Sequence, residues 1–236
     1  MQNSVRENLA QIQERISAAA KRSGRRPDEI TLIAVSKTHP AGLIREAYEA
    51  GLRHFGENRV QEWEGKRAEL DDLRATWHLI GHLQSNKAAR AATLFHSVDS
   101  VDSFEVAQRV DRAREPLDSA GKLRILLEVR VAEEESKSGV AIGDTAALAE
   151  RVLTLPNLEL AGLMCIPPFL EEAEKVRPYF QRLRQVLTDL QKSTGRPLNV
   201  LSMGMSHDFE VAIEEGATEV RVGTALFGTR PAPHPQ

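Results

Sequence analysis

The first polar–apolar pattern in the chain has a helical period. Val5, Leu9, Ile12 and Ile16 recur at spacings of four, three and four, with Arg6, Glu7, Gln13, Glu14 and Arg15 between them. That stripe predicts an amphipathic helix, stopped by Gly24 and Pro27. Residues 30–36 then form a near-continuous apolar run of strand length, and residues 40–50 return to a helical pattern that closes at Gly51. The alternation repeats to the end of the chain. Further strands are predicted at 53–56, 76–80, 94–98, 123–131, 159–166, 199–203 and 219–222. Between them lie predicted helices at 59–73, 87–93, 103–114, 145–155, 171–192 and 209–215.

Eight short strands separated by helices imply parallel βαβ units with right-handed crossovers. A doubly wound open sheet fits this alternation too. The strand count and the length of 236 residues favour an α/β single-domain (β/α)8 TIM barrel with an extra N-terminal helix. That domain is expected over residues 1–230, with a turn-rich connection at 116–122 and a loose C-terminal tail at 231–236.

Composition narrows the function classes. Hydrophobic residues at 41% and charged residues at 28% suit a soluble globular protein rather than a disordered one. Lys and Arg total 31 against 34 Asp and Glu, a net charge of −3, so no basic excess points to nucleic acid or to an anionic membrane. Aromatics at 5% also weaken a stacking platform for single strands. Cys165 is the single cysteine, which excludes an internal disulfide framework and fits a reducing compartment. The polar amino terminus lacks the apolar stretch of a secretory signal, and no run is long enough for a membrane helix. A soluble cytoplasmic protein is expected, with no nucleic-acid and no membrane partner.

In a barrel of this type, working groups collect at the carboxyl ends of the strands. Lys37 follows the first strand. Loss of hydration at a barrel mouth disfavours its ammonium, and a neutral amine is what Schiff-base formation with a carbonyl requires. The plainer alternative is a lysine that solvates a strand end. SMGMS (202–206) follows the seventh strand and GTALFG (223–228) the eighth. Glycines there let backbone N–H groups approach an anion, and hydroxyls add donors, as in the recurrent phosphate site of these barrels. Ser206 is also placed to cap the helix that begins near His207. A Schiff-base lysine beside a phosphate cup suits an aldehyde that carries a phosphate, and pyridoxal 5′-phosphate (PLP) is the obvious candidate.

Six ordered segments carry a resemblance. LIAVSKT (32–38), HFGENRVQE (54–62), WHLIGHLQSNK (77–87), GLMCIPP (162–168), SMGMS (202–206) and VRVGTALFG (220–228) resemble the pyridoxal phosphate homeostasis protein family. The resemblance covers about residues 5–230. It implies that Lys37 holds PLP covalently, while Ser206, Gly223 and Thr224 bind its phosphate. It also places Arg221 at the pyridine nitrogen, Asn58 near the ring and Met203 beside the cofactor. A guanidinium stays protonated, so it leaves the ring nitrogen unprotonated and the ring a weaker electron sink. Without the resemblance, Arg221 reads as an ion-pair partner of Glu219 or another carboxylate. His78 and Gln84 fall in a family motif with no role beyond shaping the mouth, and Lys137 matches a family lysine that would take a second PLP transiently.

The function implied is a PLP-binding protein of intracellular PLP homeostasis, a monomer that exchanges PLP with PLP-dependent apoenzymes and is not an enzyme of strong activity. The alternative is a PLP-dependent amino-acid racemase or related enzyme, which needs proton-transfer groups on both faces of the substrate carbon. Racemases of this barrel type carry an added β-domain, for which this chain leaves no room, and Tyr48 and Tyr179 both fall on predicted helices away from the mouth. A cofactor-free Schiff-base aldolase is a third reading. His78 and His82 have the spacing of a helical metal pair, but they sit on a strand and a turn with no accompanying glutamate, so no metal is expected. Cys165 reads as a buried structural thiol, and the acidic run at 133–135 as a solvated loop.

Overall fold

The computed structural model describes residues 4–115, 121–132 and 138–228. Its strands are β1 (Thr31–Val35), β2 (His54–Glu57), β3 (Thr76–Leu79), β4 (Ser97–Val101), β5 (Leu123–Arg130), β6 (Val140–Ala141), β7 (Leu158–Met164), β8 (Val200–Met205) and β9 (Glu219–Val222). Its helices are α1 (Val5–Arg22), α2 (Ala41–Glu49), α3 (Val60–Arg67), α4 (Ala88–Leu94), α5 (Phe104–Arg114), α6 (Thr145–Val152), α7 (Arg177–Thr194), α8 (Phe209–Glu214) and α9 (Thr224–Phe227).

All strand pairings are parallel. The order β4-β3-β2-β1-β9-β8-β7-β5 closes on itself through a β4–β5 pairing, which decides for the barrel over an open sheet. The short β6 lies outside this ring, paired to the last two residues of β5. Closure leaves no unpaired edge. Lys137, the acidic run at 133–135 and the tail at 231–236 lie outside the described residues.

The outer faces of the strands and the inner faces of the helices form one apolar layer. Trp63 of α3 stacks on Trp77 of β3 at 3.8 Å, and Phe55 of β2 lies 5.1 Å from Trp77. Each such side chain contributes roughly 1.5–3 kcal/mol on burial. Helix α1 is outside the βα repeat. Ser4 and Glu7 make a reciprocal capping box at its start, and its stripe of Val5, Leu9, Ile12 and Ile16 is buried. It docks on the last helices of the chain. Arg15 forks onto Glu210 of α8 through two 2.8 Å bonds, and Asn8 Nδ2 donates to the carbonyl of Leu226 in α9 at 2.9 Å. The extra helix therefore latches the end of the chain to its beginning.

Inside the ring the amino-terminal half is filled by a polar chain. His54 Nδ1 lies 3.1 Å from His78 Nε2, and His78 Nδ1 lies 2.9 Å from Asp99 Oδ2. Asp99 also accepts from the Ser97 hydroxyl. Arg124 donates to Ser97 Oγ at 2.8 Å and to Glu219 Oε1 at 2.5 Å. This filling explains one displaced boundary. Strand β4 runs Ser97–Val101 rather than over 94–98 because Ser97 and Asp99 serve the polar interior, while the apolar Leu94 ends α4 and Phe95 packs in the outer layer. Helix α3 is shorter than expected, and a 3₁₀ turn at Ala173–Val176 precedes α7.

One glycine sets a strand spacing. Gly162 of β7 faces Val200 of β8, and a β-carbon there would stand 2.0 Å from the Val200 carbonyl oxygen. Gly65, in α3, has nothing within 4 Å of the same position. Gly162→Ala is expected to destabilise the fold by about 1–3 kcal/mol or more, while Gly65→Ala stabilises it by up to about 1 kcal/mol. Urea midpoints at constant m-value read both, and equal shifts would contradict the close β7–β8 approach.

Candidate functional site

The carboxyl ends of the strands enclose a cavity of about 720 Å³. Lys37 enters it from the turn after β1. That turn is closed by a 3.1 Å bond from the His39 N–H to the Ser36 carbonyl. Thr38 sits within it at a φ of 65°, the one non-glycine residue in the left-handed region among those described. A β-branched residue there is strained, and strain persists only where the surroundings hold it. They do. The Thr38 N–H donates to Glu62, and Glu62 accepts from Lys66 Nζ at 2.6 Å. Lys66 also donates to the Ser36 carbonyl at 3.1 Å and to the buried Glu57 at 3.2 Å, and the Ser36 hydroxyl reaches Glu57 at 2.7 Å. Burial pushes the Glu57 carboxyl up, against the pull of Lys66 and Ser36. A braced, partly buried ion network thus fixes the backbone that presents Lys37.

Next to β1 in the ring stands β9, and beyond it β8. Ser206, just past β8, does not cap the following helix: Asp208 occupies that position and accepts from the Met205 N–H at 2.6 Å. The Ser206 hydroxyl instead accepts from the N–H groups of Gly223 and Ala225, both at 3.3 Å. Two backbone donors and two hydroxyls, counting Thr224, therefore converge beside Lys37. Gly223 is packed so closely that a β-carbon would meet Val35 at 3.3 Å. Arg221 is buried below them. It donates to the Ser202 carbonyl at 2.7 Å, to the Ser202 hydroxyl at 2.8 Å and to the Cys165 carbonyl at 2.7 Å. Glu219 is engaged by Arg124 instead, so the ion pair read from the sequence is not the role of Arg221.

Asn58 lines the cavity from the β2 end, with the loop after β3 pressed against it. A β-carbon on Gly81 would come within 2.3 Å of the Asn58 carbonyl. Met203 is the exception among the expected residues. It is fully buried in the outer apolar layer and does not line the cavity; Met205 lines it instead. With Ser202 turned inward to Arg221, simple alternation already puts Met203 outward beside Leu201, and the register irregularity between Ser202 and Met205, with Gly204 at a φ of 94°, is what turns Met205 to the cavity.

The profile of the alanine racemase N-terminal domain family matches residues 7–231. The pyridoxal phosphate homeostasis protein of Pseudomonas aeruginosa is 50% identical over 230 residues, 97% of this chain and 96% of that protein. That of Escherichia coli is 44% identical over 232 residues, 97% of each chain. The chain belongs to the pyridoxal phosphate homeostasis protein family. Among solved structures, PipY of Synechococcus elongatus with PLP bound superposes with a TM-score of 0.84 at 42% identity, covering 95% of this chain and 100% of that one. An alanine racemase of Clostridium difficile shares the fold alone, with a TM-score of 0.74 at 14% identity over 98% of this chain and 58% of its own.

Of the remaining candidates of this family member, His82 and His207 line the mouth. His207 leans away from the donors, its Nε2 lying 2.9 Å from the Glu171 carbonyl and its ring 5.3 Å from Phe169, which is 75% exposed at the rim. Tyr48 and Tyr179 lie on α2 and α7 and do not line the cavity. Burial pushes the Cys165 thiol up to about 12, which leaves it protonated and a poor nucleophile. His78 and His82 diverge, His78 toward Asp99 and His82 toward Asp102 at 3.3 Å. One cluster with metal-ligating geometry occurs among the described residues, His78, Asp99 and Glu219, but the Arg124 guanidinium already supplies its positive charge.

Sequence reasoning missed Glu128. It lies near the carboxyl end of β5, is 5% exposed, lines the cavity, and its Oε2 has no hydrogen-bond partner among the described residues. Burial and the nearby Asp102 push its carboxyl up to about 7, against the pull of Arg221. Such a group holds its proton longer in the folded chain than in the unfolded one. Its stabilising contribution is full below about 4.5 and is lost as pH rises through about 7. Glu128→Gln removes this loss. The variant is expected to gain on the order of 2 kcal/mol relative to wild type between about pH 5 and about pH 8 in urea titrations of the unloaded protein. A difference that stays flat with pH would contradict it.

Proposed function

We propose that the protein binds PLP at this mouth, with Lys37 as the amine that holds it covalently. It would keep the cofactor available to PLP-dependent apoenzymes rather than carry out strong catalysis itself, as a cytoplasmic monomer. The observation that carries the reading is the juxtaposition, in one cavity, of Lys37 with the Gly223 and Ala225 N–H groups, Ser206, Thr224 and the buried Arg221. The curated relatives named as pyridoxal phosphate homeostasis proteins and the PLP-bound PipY structure support it. No helix among the described residues is long and apolar enough to cross a membrane.

The residues present suit the cofactor group by group. Gly223, closed against Val35, leaves only backbone donors where an anion would sit, and Ser206 orders those donors. Thr224 adds a hydroxyl. Asn58 bounds the side of the cavity where the ring would lie, and the region beside it falls to Met205 rather than Met203. Bound PLP supplies an aldehyde that condenses with primary amines and a ring that withdraws electrons from them. Arg221 limits the second property. Fixed by three hydrogen bonds and permanently charged, it would donate to a ring nitrogen rather than protonate it. The network of Lys66, Glu62 and Glu57 holds the Lys37 backbone still, so the amine is presented in one place.

Purified protein incubated with PLP is expected to show the absorbance of a lysine-bound aldehyde, and borohydride reduction followed by peptide mapping to label Lys37. Lys37→Ala loses the band. Ser206→Ala keeps it with about tenfold weaker binding, the size of one or two lost hydrogen bonds. Labelling of a different lysine, or no band at all, overturns the reading, and the latter outcome favours a cofactor-free aldolase.

A further inference from the structure

Lys37 and Glu128 stand on opposite walls of the mouth. Counted either way round the ring, through β2, β3 and β4 or through β9, β8 and β7, β5 is the fourth neighbour of β1. The charges are divided in the same sense. Lys37, Arg221 and the backbone donors lie on the β8–β9–β1 side, and the carboxyls of Glu128 and Asp102 on the β4–β5 side. His82, 3.3 Å from Asp102, is the neighbour on the β3 side, and His39 and His207 complete the titratable groups around the cavity among the described residues.

Glu128 is costly where it stands. A buried polar oxygen without a partner among the described residues is left desolvated and uncompensated, and repulsion from Asp102 adds to this cost. A cation in the cavity relieves both penalties. We propose that the β4–β5 side of the mouth is a cation subsite, where the unpaired oxygen of Glu128 and the adjacent Asp102 receive the ammonium group of a primary amine. An ammonium fits better than a divalent metal, because no third ligating side chain joins these two in a metal-like cluster among the described residues. It also brings three N–H donors to an acceptor that has none. The choice of a primary amine, amino acids included, rests on the function proposed above, since that is the class with which an aldehyde held at Lys37 exchanges.

The subsite also has a proton to move. An ammonium must lose a proton before its nitrogen can act as a nucleophile, and the carboxylate of Glu128, which burial and Asp102 make more basic, is the acceptor beside it. The proton passes from nitrogen to the carboxylate oxygen and no other bond changes.

The test uses the full chain without PLP and methylammonium chloride as the probe, with sodium chloride at equal ionic strength as the control. Wild type is expected to show a saturable rise in melting temperature. Half-saturation moves at least tenfold higher in Glu128→Gln and severalfold higher in Asp102→Asn, and tetramethylammonium, which has no N–H donor, gives no rise. Unchanged half-saturation in Glu128→Gln, or no saturable rise in wild type, overturns the subsite. Should Glu128→Gln fail to fold, unchanged half-saturation in Asp102→Asn does so. PLP loading of wild type is read separately by absorbance. Methylammonium binding without PLP loading defeats the proposed function and upholds the subsite, while PLP loading without methylammonium binding does the reverse.

Discussion

The parallel ladder between β1 and β9 is the constraint on which the rest of the structure depends. Thr31 to Ala34 pair in register with Glu219 to Val222, joining the first strand of the chain to the last. That pairing closes the barrel and sets the turn bearing Lys37 beside the loop bearing Gly223. A sheet that kept these strands in chain order without joining the first to the last would leave the two apart. The ladder is held from outside by α1, which bridges to α8 and α9 through the Arg15–Glu210 fork and the Asn8–Leu226 bond. It is held from within by the contact of Gly223 with Val35.

The barrel interior divides its labour along its axis. The amino-terminal half is plugged by charged and polar groups bonded in a chain from His54 through Asp99 and Arg124 to Glu219, whose Oε2 finds no partner among the described residues. Burial and the positive neighbours of His54 push it down to about 4, so it enters that chain as a neutral ring. Paired in this way, buried polar groups make a rigid floor. The carboxyl-terminal half is left open, and there the same rules are broken locally. Thr38 is strained and Glu128 Oε2 lacks a partner among the described residues. Glu128 lines the cavity that holds Lys37, and Thr38 sits in the turn that presents Lys37 to it, which is where local strain gathers when a site is built for a ligand.

Much of this was legible in the order of residues. The alternation of apolar runs with helical stripes counts eight barrel strands, and the stripe of Val5, Leu9, Ile12 and Ile16 marks a helix that the structure buries on that face. Lys37, Ser206, Gly223 and Thr224 stand out because chemistry at strand ends has a short list of suitable residue types. What was hidden depends on backbone irregularity and on interior polarity. The irregular register of β8 makes Met205, not Met203, the residue at the mouth. Strand β4 looks unlike a strand because its inward positions are Ser97 and Asp99. Glu128, set in a run of leucine, isoleucine and valine, reads as one polar position in an apolar strand until closure shows what lies across from it. Ser206 could be read as a helix cap because a sequence gives no sight of the Gly223 and Ala225 N–H groups that claim its hydroxyl.

Barrel closure brings one amine and one cradle of backbone donors together, and in the proposed function these would hold the two ends of the same phosphorylated aldehyde. A crystal structure of the protein grown with PLP tests this most directly. The account expects electron density continuous from Lys37 Nζ into the ligand, with the phosphate in hydrogen-bond reach of the Gly223 N–H and the Ser206 hydroxyl. Density for the ligand at any other lysine, or a phosphate seated away from the β8 and β9 loops, would contradict it.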